Sequence, residues 1–182
     1  ATNSNDILTR TIETGRYEMG DVFATLSPSM DIQISSNFER LLFDLVGRDA
    51  SEIKRMMNVL AETGGFDLSD TQLATLKASF SAGRVSDDET QAIIRDTHKK
   101  TGEILDPHTA VGLGVAIDKA DGLDCPVITL STAHPAKFGE AVMQATAEDV
   151  ALPDHMTDLM ERTERMTVIA NDLDALKKVI TQ

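Results

Sequence analysis

The residues best suited to ligand chemistry stand where a predicted strand runs into a predicted helix. Ser131 and Thr132 place two hydroxyl groups at this junction, and His134 adds a titratable imidazole next to Pro135. In open α/β sheets, ligands bind beyond the carboxyl ends of strands, beside the N-termini of helices. The junction is therefore a candidate binding site, and capping of the helix for stability alone is the alternative interpretation.

A second polar segment marks another predicted helix start. Asp106 is a predicted N-cap, Pro107 suits the first helical position, and His108 and Thr109 follow. The helix behind them is apolar on all sides, which predicts that it is buried. Binding of a ligand and simple capping are both open for this segment, as they are for the polar turn at residues 2–6.

Other kinds of site lack the residues that they need. The four histidines do not pair with cysteine or carboxylate at a metal-ligand spacing, so no metal site is expected. The sequence contains no Gly-x-Ser-x-Gly elbow of a hydrolase, and the glycines at 112 and 114 lie inside a helical pattern rather than a nucleotide-binding loop. A metal centre, a hydrolase triad and a nucleotide site are therefore not predicted.

Charge and composition restrict the partners and the compartment. The formal net charge of −13 argues against binding of nucleic acid or of an anionic membrane surface. No apolar run approaches the length of a membrane span. The single cysteine, Cys125, excludes an intramolecular disulfide framework and fits a reducing cytoplasm, which is the predicted location.

The elements that must position these residues are mainly helices. Capping residues, glycine stops and apolar spacing predict helices at about 6–13, 50–63, 69–80, 86–101, 107–117, 135–146, 153–161 and 172–180, and a further helix start at 38–43. Short strands are predicted at 21–26, 125–130 and 167–170. Three such strands do not make a good sheet alone, so we expect other strands of the same sheet to lie elsewhere. The predicted fold is a helix-rich α/β fold.

Four motifs point to a family. They are ATNSNDIL at 1–8, LSPSMDI at 26–32 followed by SSNFER at 35–40, DPHTAVG at 106–112, and TAHPAKF at 132–138. In this order they resemble motifs of the threonine synthases, in particular the bacterial and fungal branch of that family. Because the four motifs occur in this order and span nearly the whole chain, together they are far more specific for the family than any single motif.

The resemblance implies a fold-type-II enzyme that depends on pyridoxal phosphate (PLP), with an open α/β sheet interrupted by a helical insertion. Residues 1–36 would belong to the PLP-binding α/β domain, residues 37–101 to the insertion, and residues 102–182 to the remainder of that domain and its C-terminal helices. The activity implied is conversion of O-phospho-L-homoserine and water to L-threonine and phosphate.

The resemblance also implies that this chain is the C-terminal part of the enzyme and is inactive alone. The Schiff-base lysine and the glycine-rich loop for the cofactor phosphate would lie upstream of Ala1, so no catalytic residue is assigned within the chain. Lys137 lies inside a matched motif but not at the family's lysine position. Without partner strands, the fragment is expected to expose an apolar edge and to self-associate.

Site residues follow from the same resemblance. Thr132 matches the position that hydrogen-bonds the pyridine nitrogen, with Ser131 as its neighbour, and His108 and Thr109 would lie along the cofactor ring. A neutral hydroxyl at that nitrogen gives a weaker electron sink than a carboxylate would. Which of the two hydroxyl groups at 131 and 132 contacts the cofactor is left open.

Two further residues are expected to bind the substrate. The resemblance makes Asn37 and Arg40 candidates for the substrate phosphate, because arginine offers a bidentate fork to phosphate oxygens. Arg40 could equally form a surface pair with Glu39 or Asp44. The alternative for the whole chain is a non-catalytic helical protein-interaction domain, in which the caps at positions 106 and 132 serve stability.

Overall fold

The computed structural model describes residues 1–181, which divide into two compact units, residues 1–150 and residues 151–181. The first unit contains helices α1 (Ile7–Thr14), α2 (Phe38–Leu45), α3 (Ala50–Thr63), α4 (Asp70–Ser79), α5 (Asp87–Thr101), α6 (Pro107–Lys119) and α7 (Gly139–Thr146). It also contains the short strands β1 (Arg16–Glu18) and β2 (Gly65–Asp67) and 3-10 turns at Pro28–Met30 and Pro135–Phe138. The helix-rich prediction is confirmed.

Local sequence signals account for most helix boundaries. Ser69 and Ser86 each form a full capping box. The serine side chain accepts the backbone N–H of the third helical residue, and the side chain of that residue accepts the backbone N–H of the serine. Helices α3 and α5 end at Gly64 and Gly102, whose φ angles of 82° and 80° are left-handed and favour glycine. These helices therefore begin and end where the sequence predicts.

The two strands form a small antiparallel pair that the sequence did not predict. Arg16 lies opposite Asp67, and Glu18 lies opposite Gly65. A Cβ atom at Gly65 would lie 2.8 Å from the carbonyl oxygen of Tyr17, so this close approach of the two backbones requires glycine.

The larger core of the first unit is built around one tyrosine. The Tyr17 ring stacks between Phe38 and Phe66, with ring centroids 5.6 Å and 5.0 Å apart. Other buried members of the same cluster are Ile7, Leu42, Met56, Leu60, Leu68 and Leu76. Helices α2, α3 and α4 thus pack with α1 and the strand pair around a shared core.

A smaller core joins α5, α6 and α7. Its buried members are Ile94, Ala110 and Ala145, one from each of the three helices. Helix α6 is buried only through its first turns, since Ile117 near its end is 64% exposed. The prediction of burial on all sides is therefore correct for the N-terminal half of α6, which is the half that carries the candidate site.

The three predicted strands do not form within residues 1–181. Residues 21–26, 125–130 and 167–170 have no ladder partner in this part of the chain, and most of their residues are exposed. A strand needs a neighbour to satisfy its backbone donors and acceptors, and the apolar composition of these segments alone cannot supply one. The expectation that Cys125–Leu130 is a buried strand is wrong for this structure.

The second unit is short, and most of its described residues are exposed. Two 3-10 turns at Asp154–Met156 and Leu159–Glu161 replace the predicted helix from Pro153, and helix α8 (Leu173–Ile180) follows. Asp172 caps α8 by accepting the backbone N–H of Ala175 at 2.8 Å, as its sequence predicts. No helix among residues 1–181 combines the length and the apolar character that crossing a membrane requires.

Candidate functional site

The candidate site begins at the N-terminus of α6. The carboxylate of Asp106, of which only 1% is exposed, accepts the backbone N–H groups of His108 at 2.9 Å and Thr109 at 3.4 Å. Pro107 occupies the first helical position, where its missing N–H costs no hydrogen bond. The predicted cap is confirmed, and its burial fixes the start of α6 inside the first unit.

Asp106 also holds two side chains of its own helix turn. Its carboxylate lies 2.9 Å from Nδ1 of His108, and its second oxygen accepts the hydroxyl hydrogen of Thr109. Four hydrogen-bond donors thus surround one buried carboxylate, which offsets the cost of removing it from water. Asp106 is therefore more than a helix cap, because it fixes the imidazole and the hydroxyl that follow it.

Thr109 connects the two candidate segments that the sequence places apart. The backbone N–H of Thr132 donates to Oγ1 of Thr109 at 3.0 Å, and the two hydroxyl oxygens are 3.4 Å apart. Two predicted site residues, 23 positions apart, therefore meet in the structure.

His108 is held on both sides of its ring. Its Nε2 atom accepts the backbone N–H of Ser29 at 3.1 Å, and its ring packs against Phe138 with centroids 4.6 Å apart. Sequence reasoning missed Ser29 and Phe138 as site residues. The available signal was their position inside the motifs at 26–32 and 132–138.

A half-open cavity of about 580 Å³ lies in front of these residues. Its walls include Ser29, Met30, His108, Gly112, Ile128, Thr129, Thr132, Ala133, Lys137 and Phe138. Thr109 is buried behind this wall and is not part of it. The cavity is mainly apolar, with few polar groups facing into it, as small-molecule sites usually are.

The neighbouring residues Ser131 and His134 face elsewhere. Ser131 lines a neighbouring, more open recess together with Glu103 and His134, and it is not part of the wall of the cavity in front of His108. Thr132 lies between the two and lines both. His134 accepts the backbone N–H of Ala136 at 3.2 Å through Nδ1, which is the capping role weighed for it. Of the two adjacent hydroxyl residues, only Thr132 lines the cavity in front of His108.

The two predicted substrate-binding residues lie at the start of α2. Asn37 and Arg40 are both exposed, and neither lines the cavity in front of Thr132. The side chain of Asn37 makes no capping hydrogen bond to α2. Asp44, a candidate partner for Arg40, instead pairs with Arg48 at 2.8 Å.

A polar cluster fixes the polar turn near the N-terminal end of the chain. The Asp31 carboxylate accepts from the side-chain amides of Asn3 at 2.8 Å and Asn5 at 2.9 Å. It also accepts both the backbone N–H and the hydroxyl hydrogen of Thr25. This cluster joins two of the matched motifs and holds the segment that carries Ser29.

Comparison with known proteins identifies the family. The family model for the C-terminal part of threonine synthase matches residues 109–180. Threonine synthase of Pseudomonas aeruginosa is 42% identical over 183 residues, which cover 100% of this chain and 39% of that protein. The enzyme of Saccharomyces cerevisiae is 38% identical, over 100% of this chain and 40% of that protein.

Solved structures give the same result. The crystal structure of PLP-bound threonine synthase from Brucella melitensis matches with a TM-score of 0.88 and 50% identity, over 99% of this chain and 39% of that one. The yeast enzyme matches with a TM-score of 0.82 and 34% identity, over 100% of this chain and 41% of that one. The chain thus spans about two fifths of the relatives it matches. With four motifs, the fold and these matches in agreement, the chain belongs to the threonine synthase family, as a C-terminal portion of such a protein.

Proposed function

We propose that the protein containing this chain uses PLP to convert O-phospho-L-homoserine and water into L-threonine and phosphate. In that enzyme, this chain forms the wall of the cofactor site that faces the ring nitrogen. The observation that carries the proposal is the placement of Thr132 on a cavity beside His108, with Thr109 holding Thr132 from behind.

The residues of the cavity fit a flat heteroaromatic ring. His108 and Phe138 supply aromatic surface, and the Thr132 hydroxyl is a polar group able to meet a ring nitrogen. A Cβ atom at Gly112 would come within 3.4 Å of Thr129, so the absence of a side chain at Gly112 lets these two parts of the wall lie close together. A mainly apolar cavity with a few polar groups, the Thr132 hydroxyl among them, matches what the ring of PLP requires.

PLP, when bound, supplies an electron sink for carbanion chemistry at the substrate. Thr132 would hold the ring nitrogen through a neutral hydroxyl, which tunes that sink to be weaker than a carboxylate partner would make it. His108 would lie along the ring, and its two hydrogen bonds, to Asp106 and Ser29, keep its plane fixed. This chain would thus orient the cofactor and set its electronics.

We also propose Asn37 and Arg40 as ligands of the substrate phosphate. No carboxylate among residues 1–181 forms an ion pair with Arg40, so its guanidinium is available for a bidentate contact. Their exposed position at the start of α2, outside the cavity wall, requires that the substrate phosphate extend away from the cofactor ring. Replacing Arg40 with lysine should raise KM for the phosphorylated substrate more than it lowers kcat.

The chain alone is proposed to be inactive and to bind PLP weakly. The Schiff-base lysine and the glycine-rich phosphate loop are proposed to lie upstream of Ala1, in the part of the family's length that this chain does not span. The free thiol of Cys125 is exposed, which supports a reducing cytoplasm as the location.

The test compares two adjacent hydroxyl residues in the intact protein. Thr132→Ala should change the absorption spectrum of bound PLP and lower phosphate release from O-phospho-L-homoserine, because the ring nitrogen loses its partner. Ser131→Ala should leave both close to wild type, since Ser131, unlike Thr132, does not line the cavity. Lack of phosphate release by the wild-type protein supplied with PLP would refute the proposed reaction, and a large effect of Ser131→Ala alone would refute the assignment of Thr132.

A further inference from the structure

We propose that Thr109, held by Asp106, is a positioning residue that directs the hydroxyl hydrogen of Thr132 into the cavity. Thr109 would act through Thr132, and it would not touch the cofactor. This inference rests on the proposed function, because it concerns how the same site meets a ring nitrogen.

The first step concerns the single hydrogen of the Thr109 hydroxyl. A threonine hydroxyl has one hydrogen to donate and two lone pairs to accept with. The Asp106 carboxylate has no hydrogen to donate when ionised, so in its contact with Thr109 the hydroxyl must be the donor. Thr109 therefore has only its lone pairs left for other partners.

The second step concerns the acceptor side of Thr109. The backbone N–H of Thr132 donates to Oγ1 of Thr109 at 3.0 Å, a normal hydrogen-bond distance. This bond fixes the backbone of residue 132 relative to the buried turn at the start of α6. Because Thr109 is 5% exposed and Asp106 is 1% exposed, the anchor is shielded from competing water.

The third step concerns the hydroxyl of Thr132 itself. Its oxygen lies 3.4 Å from Oγ1 of Thr109, longer than the usual O–H···O range of about 2.5–3.0 Å. Thr109 has no hydrogen left to give it, and the one lone pair of Thr109 that remains is a weak acceptor at this distance. The hydrogen of the Thr132 hydroxyl is therefore free to turn toward the cavity, where it suits a closer acceptor such as an unprotonated ring nitrogen.

The position of Thr109 favours an indirect effect over a direct contact. Thr109 is not part of the wall of the 580 Å³ cavity, whereas Thr132 and His108 are. A ring in that cavity would meet the hydroxyl of Thr132, and the effect of Thr109 would be indirect.

The experiment uses the intact protein reconstituted with PLP that carries ¹⁵N at the ring nitrogen, observed by NMR. Thr132→Val should shift the ¹⁵N resonance toward that of a ring nitrogen without a hydrogen-bond donor. Thr109→Val should shift it in the same direction by at least half of that change, whereas Thr109→Ser, which keeps the hydroxyl, should restore the wild-type resonance. Thr90→Val is the matched control, because Thr90 is an equally buried threonine of α5 that bonds its own helix.

A second measurement needs no cofactor. Hydrogen exchange at the Thr132 amide should become about five- to tenfold faster in Thr109→Val, because that amide loses one hydrogen bond. The rate should stay at the wild-type value in Thr109→Ser. If Thr109→Val fails to fold, Thr109→Cys replaces it, since a thiol of similar size hydrogen-bonds only weakly. The proposal that Thr109 is a positioning residue is overturned if Thr132→Val shifts the ring ¹⁵N resonance and Thr109→Val does not. If Thr132→Val leaves the resonance unchanged, the assignment of Thr132 to the ring nitrogen fails, and the inference fails with it.

Discussion

The backbone N–H of Ser29 donates to Nε2 of His108 at 3.1 Å, which joins two segments 79 positions apart in the chain. Since Nε2 accepts this bond, Nδ1 must carry the hydrogen of the neutral ring, and it points to the Asp106 carboxylate at 2.9 Å. We predict that His108 is the Nδ1–H tautomer at mildly alkaline pH. The ¹⁵N chemical shifts of its ring nitrogens in an NMR spectrum give a direct measurement.

His134 provides the internal control for this prediction. Its Nδ1 atom accepts the backbone N–H of Ala136, so its neutral ring should carry the hydrogen on Nε2. The two histidines of one protein should therefore show opposite tautomers. Finding the same tautomer for both, or the Nε2–H form for His108, would contradict the hydrogen-bond directions described for the site.

Replacing Asp106 with alanine should lower the free energy of unfolding by about 2–4 kcal/mol, because the buried donors of His108 and Thr109 lose their acceptor. Unfolding in urea measures the change. Asp49→Ala is the matched control, since Asp49 also caps a helix through two backbone N–H groups but is exposed. Its loss should cost only about 1 kcal/mol. Equal costs for the two variants would show that Asp106 is no more than a cap.

The only tyrosine of the chain, Tyr17, reports on the larger core. Burial raises its pKa above the ordinary value of 10.0, against a smaller lowering by the hydrogen bond from the backbone N–H of Ser35. The folded state keeps this proton to higher pH than the unfolded state does. The stabilisation is therefore fully present below about pH 10 and is lost as the pH rises through the raised folded pKa.

Tyrosinate absorbance in the ultraviolet follows this titration for a single residue. The folded protein should ionise Tyr17 at a higher pH than the same protein in concentrated urea, and circular dichroism should show unfolding in the same pH range. Identical titration curves with and without urea would contradict the effect of burial.

Gly65 offers a test of the strand pair. Gly65→Ala would bring a Cβ atom to 2.8 Å from the carbonyl oxygen of Tyr17, so we expect a loss of about 1–3 kcal/mol of stability. Gly139→Ala is the control, because Gly139 has helical φ and ψ angles of −53° and −37° and a Cβ atom there would meet no other atom within 4 Å. Thermal unfolding should show no loss of stability for the control. A similar loss in both variants would argue against strain at Gly65.

The exposed apolar segment at 127–130 should make the isolated chain self-associate. Ile128 is 83% exposed and Leu130 is 76% exposed, with no strand paired to this segment within residues 1–181. Sedimentation at several concentrations should show association, and Ile128→Lys should weaken it by about tenfold. Ile180→Lys adds the same charge at another exposed apolar site and should have a smaller effect. A monomer at every concentration would contradict the prediction.

The sequence predicted features that depend on near neighbours in the chain. The helix start at Ser69, the capping box at Ser86, the cap at Asp106 and the stop at Gly64 each depend on residues within one helical turn. The strand pairing of Arg16 with Asp67 was missed, because three-residue strands show too little alternation and pair across a long separation.

Two residues of the cavity wall were named from the sequence, but their connections were not. Thr132 and His108 were named from motifs, and the structure brings both to one cavity wall. The link through Thr109 and the contact with Phe138 depend on tertiary packing between segments, which no local pattern contains. Residues 125–130 show the same limit, since an apolar run does not say whether a neighbour is present to pair with it.

The buried carboxylate of Asp106 serves helix stability and side-chain placement at once. Its four donors are the backbone N–H groups of His108 and Thr109, which form the cap of α6, and the side chains of the same two residues. Natural variation or laboratory evolution therefore cannot alter the arrangement behind Thr132 at this position without also weakening the scaffold. A search for variants with altered site chemistry has more freedom at Ser29, which lines the cavity and contacts His108 through its backbone N–H and not through its side chain.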